Sequence, residues 1–106
     1  MEAASIGLKN MLIHQIHLRI SGSVQGVGFR QNTLFQAMRL GIKGWVRNTS
    51  AGDVEVMAEG PARLIQEFMD WCHEGPPHAC VSGVEILKKL EIAEMSFADF
   101  RIEHDS

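Results

Sequence analysis

Tyrosine is absent from the 106-residue chain, cysteine occurs twice, proline three times, and 10 lysines and arginines face 13 aspartates and glutamates. Each shortage excludes something. A general nucleic-acid binder presents a basic face, and a formal net charge of -3 argues against one, although a single arginine can still hold a small anion. Cys72 and Cys80 form no C-x-x-C pair, so a structural zinc site is not expected. Two reduced thiols in a cytoplasmic protein are expected, with a disulfide between them as the alternative. No segment approaches the run of about 20 apolar residues that crosses a bilayer, so no membrane partner is expected. Met1–Lys9 lacks the basic start and apolar stretch of a secretory leader.

Hydrophobic residues make up 45% of the chain, enough for one core, and the length suits one domain. Residues 1–11 read as a flexible extension, with Met11 as an alternative start, and residues 12–106 as the domain. His14–Ile20 alternates, with Ile16, Leu18 and Ile20 on one face, as a half-buried strand does. Three glycines within Ser21–Gly28 then break regular structure. Phe29–Leu40 places Leu34, Ala37 and Met38 at helical spacing, and Gly41 is the expected stop. Lys43–Asn48 reads as a strand, Thr49–Gly52 as a hairpin turn and Val54–Glu59 as a third strand. Gly60-Pro61 opens a second helix with Leu64, Ile65, Phe68, Trp71 and Cys72 as its stripe. After the Gly75-Pro76-Pro77 loop, Cys80–Leu87 and Phe97–Glu103 read as strands four and five. The order βαββαβ plus a short terminal strand predicts an α+β ferredoxin-like split βαβ sandwich, two helices on one face of an antiparallel sheet. That plan hosts unrelated functions, RNA recognition among them, and settles none.

Gly22-Ser23-Val24-Gln25-Gly26-Val27-Gly28-Phe29-Arg30 joins the first strand to the first helix. Glycines allow successive N–H groups to turn inward as an anion nest, and a helix N-terminus adds positive potential. Arg30 can bring a planar fork to two phosphate oxygens at once. Taken alone, such a loop is as well read as a tight turn capped by a surface arginine.

A second segment, Gly44-Trp45-Val46-Arg47-Asn48, precedes Gly52-Asp53-Val54-Glu55. From Ile16 to Ile102 the chain resembles the acylphosphatase family. It carries that family's G-x-V-Q-G-V-x-F-R signature at Gly22–Arg30 and its G-W-V-x-N signature at Gly44–Asn48. Ala51 before the hairpin glycine and the leading extension depart from the family pattern. The resemblance implies a monomeric, cofactor-free hydrolase of acyl phosphates in which Arg30 binds phosphate and Asn48 orients water. By the same resemblance the amides of Val24, Gln25, Gly26, Val27, Gly28 and Phe29 are expected to complete a phosphate-binding loop, where inorganic phosphate or sulfate would compete with substrate. No metal is implied.

Other residues read as structural. His14 and His17 lie three apart on a strand and face opposite ways, a poor metal pair. His73, His78 and His104 are scattered. Arg47 alternates away from Asn48 and is expected to be solvated or salt-bridged. Trp45 and Trp71 read as packing residues, and Glu55, Glu59 and the Glu91–Glu94 region as solvated faces. An RNA-recognition sheet displays exposed aromatics in its central strands, whereas this chain has no tyrosine and its phenylalanines fall mostly on the expected helices or strand ends. A phosphate-binding accessory domain, like the front of carbamoyl-transferring maturation factors, is the third reading. With no zinc-finger cysteines after the domain, a free-standing enzyme is expected.

Overall fold

The computed structural model describes residues 12–105; the extension expected over residues 1–11 lies outside them. The elements run β1 (Ile13–Ser23), α1 (Phe29–Leu40), β2 (Lys43–Asn48), β3 (Val54–Pro61), α2 (Ala62–Glu74), β4 (Cys80–Ile92) and β5 (Phe100–Ile102). The five strands form one sheet in the order β4-β1-β3-β2-β5. Side chains alternate across a strand, so Ile16, Leu18, Ile20, Val54, Val56 and Ala58 all reach one face, where none is exposed. Each such aliphatic side chain contributes about 1.5–3 kcal/mol by leaving water, alanine less. Both helices pack there.

The sheet is mixed rather than wholly antiparallel. The β1–β3, β1–β4 and β2–β3 pairs are antiparallel, but β5 runs parallel to β2, with Gly44 opposite Phe100 and Val46 opposite Ile102. The chain leaves β4 at one edge of the sheet and must cross to the other to find a free partner. It arrives there in the direction of β2. That crossing also shortens the last strand to three residues, because Phe97 donates its N–H to the Glu59 carboxylate instead of to a neighbouring strand.

β4 extends to Ile92, beyond the expected Leu87, since β1 pairs with it from Ser23 opposite Cys80 to Ile13 opposite Ile92. In α1 the buried residues are Phe29, Thr33, Ala37 and Leu40, whereas Met38, expected in the stripe, is 67% exposed. Thr33 tolerates burial because its hydroxyl donates to the Phe29 carbonyl at 2.7 Å. Gly41 takes a left-handed conformation (φ 70°) and ends the helix, with Ile42 N–H donating to Ala37 O at 2.8 Å. Pro61 precedes α2 as its cap rather than opening it. The α2 stripe is Ile65, Phe68, Met69 and Cys72, with Leu64 and Trp71 partly buried against it.

Candidate active site

The segment between β1 and α1 is anchored at both ends. Val24 and Phe29 are 1% and 2% exposed, and the Phe29 ring packs on Trp71 with centroids 5.5 Å apart. Between them Gly26 and Gly28 adopt φ of 76° and 79°, a region in which a Cβ is strained. The chain therefore turns sharply and delivers the N-terminus of α1 to the surface. Gly28 caps that helix without a side-chain hydrogen bond, and no acidic residue occupies its first turn. The unpaired N–H groups and the dipole thus keep their positive potential, and Arg30 adds a full charge beside them.

Asn48 ends β2 opposite Val54 and is 8% exposed. The following turn closes through Thr49 N–H to Asp53 O at 2.9 Å and Gly52 N–H to Thr49 O at 3.1 Å. A cavity of about 240 Å³ brings Val24, Gly26, Gly28 and Phe29 of the loop together with Arg30 and Asn48. Gln31 and Ile102, which the sequence reading did not single out, complete its wall. The side chains of the two remaining loop residues are occupied elsewhere. Val27 packs against the core, and the Gln25 carboxamide bonds to the turn after Asn48. The pattern of apolar residues held no signal for Ile102 in the wall, because β5 reaches the site only through its pairing with β2.

A wider concavity of about 660 Å³ opens on the far side of Arg30. It shares Arg30 and Ile102 with the smaller cavity and is otherwise lined by Arg101, Glu103, His104 and Asp105. Arg30 Nη1 donates to Asp105 Oδ1 at 3.1 Å across it. Carboxylates at the rim make this larger space a poor anion site, and the glycine loop belongs to the smaller one.

The face of the sheet opposite the helices holds the other polar residues. Arg47 points there, donating to Glu55 at 3.1 Å and lying 4.8 Å over the Trp45 ring, the salt-bridged role expected of it. His17 Nε2 lies 2.7 Å from the same carboxylate. The expectation that Glu55 and Glu59 line a solvated face is overturned. The Glu55 side chain is only 16% exposed. Burial alone would push its carboxyl up, but hydrogen bonds from His17 and Arg47 together hold it below the usual carboxylate range. Glu59 is fully buried under the segment between β4 and β5. It accepts hydrogen bonds from Gln15 Nε2 at 3.0 Å, Ser96 Oγ at 2.8 Å, Phe97 N–H at 2.7 Å and Ser96 N–H. Alternation placed it correctly on the outer face but could not reveal that the chain later covers that face. Cys72 is buried, which pushes its thiol up, and Cys80 is exposed; neither is paired. Among the described residues no group of three His, Cys, Asp or Glu comes together as a metal site. Among them, too, no helix is long and apolar enough to cross a membrane.

A glycine loop, an arginine and an asparagine gather around one small cavity, on two helices packed against a five-stranded sheet, in a small α+β domain of ferredoxin-like plan. The acylphosphatase family model matches residues 16–102, and the chain belongs to that family. It is 44% identical over 94 residues to an acylphosphatase of Marinobacter nauticus, covering 89% of this chain and 100% of the relative. To acylphosphatase-1 of Gallus gallus it is 43% identical over 88 residues, covering 82% and 89%. The solved structure of an acylphosphatase from Coxiella burnetii superimposes with a TM-score of 0.76 at 41% identity, covering 87% of this chain and 94% of that one. The protein is accordingly a hydrolase of acyl phosphates.

Proposed function

We propose that the cavity between the glycine loop and β2 is where the carboxyl–phosphate anhydride is cleaved, with Arg30 and the loop amides binding phosphate and Asn48 positioning water. The observation that carries this reading is the convergence of Arg30, the loop and Asn48 on a single space of about 240 Å³. Its size suits a phosphoryl group and one water.

The chemistry asks little of the protein. The leaving carboxylate has a conjugate-acid pKa of about 4, so it departs without a proton donor. Phosphoryl transfer spreads charge over three oxygens, and its catalysis is mostly positioning and electrostatics. Arg30 and the α1 N-terminus supply positive charge, so no metal is required. The Asn48 carbonyl accepts a hydrogen bond from the attacking water while its amide donates to the substrate. A neutral amide is no base, and the water's proton passes to a phosphate oxygen of the substrate. Unpaired thiols suit a reducing cytoplasm, and a site whose proposed parts Arg30, the loop and Asn48 need no second chain suits a monomer.

The discriminating experiment is steady-state hydrolysis of benzoyl phosphate by Asn48→Ala and Asn48→Asp, with folding checked by circular dichroism. Asn48→Ala should lose about a hundredfold in kcat while inhibition by phosphate stays nearly unchanged. Asn48→Asp should lose activity further, because its charge repels the substrate. Near-normal kcat in a folded Asn48→Ala enzyme would remove the role given to Asn48.

A further inference from the structure

Gln25 lies in the glycine loop, yet its side chain turns away from the cavity. Its Nε2 donates to Thr49 O at 2.9 Å and to Asp53 O at 2.8 Å. A carboxamide nitrogen carries two hydrogens, so both are used, and both go to the turn that begins immediately after Asn48. The turn does not need them to close. Thr49 N–H to Asp53 O, Gly52 N–H to Thr49 O and Asp53 N–H to Thr49 Oγ1 at 3.1 Å already do so. Nor does the loop need them for its own shape, because Val24 and Phe29 fasten its ends into the core. What the carboxamide adds is a tie between two segments that each hold together separately.

Those segments are the two walls of the cavity. One carries the phosphate cradle and Arg30, the other carries Asn48. We infer that Gln25 is a positioning residue for the hydrolysis: its carboxamide holds the β2–β3 turn against the phosphate loop and so places Asn48 relative to the bound phosphoryl group. This inference rests on the proposed role of Asn48. Without the tie, both walls persist but their spacing relaxes, and a misplacement of about 1 Å is enough to cost up to a hundredfold in rate. The effect should therefore fall on turnover and spare phosphate binding.

The test is a double-mutant cycle between Gln25→Met, which keeps the length of the side chain and removes both donors, and Asn48→Ala. Benzoyl phosphate hydrolysis and competitive inhibition by inorganic phosphate are read for each enzyme. Gln25→Met should lower kcat by about tenfold to a hundredfold and change the phosphate inhibition constant by less than about threefold. The double variant should be no slower than Asn48→Ala alone, since Gln25 acts through Asn48. If the methionine variant does not fold, Gln25→Ser enters the same cycle. Losses in kcat that multiply, or a phosphate affinity that falls in step with kcat, would overturn the positioning role. So would a lowered melting temperature with kcat unchanged. A wild-type kcat in Asn48→Ala would instead overturn the reading of the site itself, and this inference with it.

Discussion

Arg30 donates from Nη1 to Oδ1 of Asp105 at 3.1 Å, so the guanidinium proposed to clamp phosphate already holds a carboxylate from the far end of the chain. The two side chains are 39% and 59% exposed, and an exposed pair of this kind contributes only about 0.2–1 kcal/mol. In the proposed site a substrate phosphate, with more charge and the loop amides as further partners, would displace it. Asp105→Asn should therefore lower KM for benzoyl phosphate and the inhibition constant of phosphate by no more than about fivefold. The difference should shrink as salt is added. Unchanged or weaker binding at low ionic strength would show that Asp105 does not compete for Arg30.

Replacing Arg30 separates charge from shape. In the proposed site the guanidinium would make a planar two-pronged contact in both ground and transition states, whereas a lysine ammonium is a point charge. Arg30→Lys should raise KM and lower kcat together, by about a hundredfold or more in kcat/KM. Steady-state kinetics measures both parameters. Recovery of most of kcat/KM by lysine would mean that bulk positive charge, not the fork, is what the site uses.

Anions and chelators test the cradle without mutation. Inorganic phosphate and sulfate should inhibit competitively, and at concentrations well above their inhibition constants they should raise the melting temperature, since a ligand that binds only the folded state stabilises it. Activity should survive excess EDTA, because the carboxylate leaves unaided. If EDTA abolished activity and magnesium or zinc restored it, a Lewis acid would have to be added to the mechanism.

Glu59 should govern stability rather than rate. Its burial favours the protonated form, but the hydrogen bonds from Phe97, Gln15 and Ser96 together outweigh that and hold the carboxyl below its usual range. A carboxyl lowered in the folded state stabilises the fold above its unfolded pKa of about 4.3, and that contribution is lost as pH falls through the folded value. Glu59→Gln should cost about 1–3 kcal/mol at neutral pH by leaving buried donors poorly met. That deficit should narrow on acidification, as the wild-type carboxylate is itself protonated. Urea melts of both proteins between pH 7 and pH 3 would show it. A deficit independent of pH would mean that Glu59 acts through shape alone.

The sequence by itself determined the features that near neighbours control. Alternation of Ile16, Leu18 and Ile20, and of Val54, Val56 and Ala58, specified which strand faces meet the helices, because successive side chains on a strand must point to opposite sides. The left-handed glycines, Gly26 and Gly28, were legible for the same local reason, and with Arg30 and Asn48 they marked the residues that line the cavity. What lies above a residue is not local, and there the tertiary structure decided. Glu59 is buried only because residues 96 and 97 return over the outer face. β5 runs parallel to β2 only because the chain must cross the sheet to reach a free edge. Thr33 rather than Met38 joins the α1 stripe because helix orientation answers to the packed sheet, and a hydroxyl that can bond to its own backbone accepts burial. The ties from Gln25 to the β2–β3 turn and from Asp105 to Arg30 join residues far apart in the chain. Hydrogen bonds have a range of about 3 Å, and only the folded chain brings such groups within it.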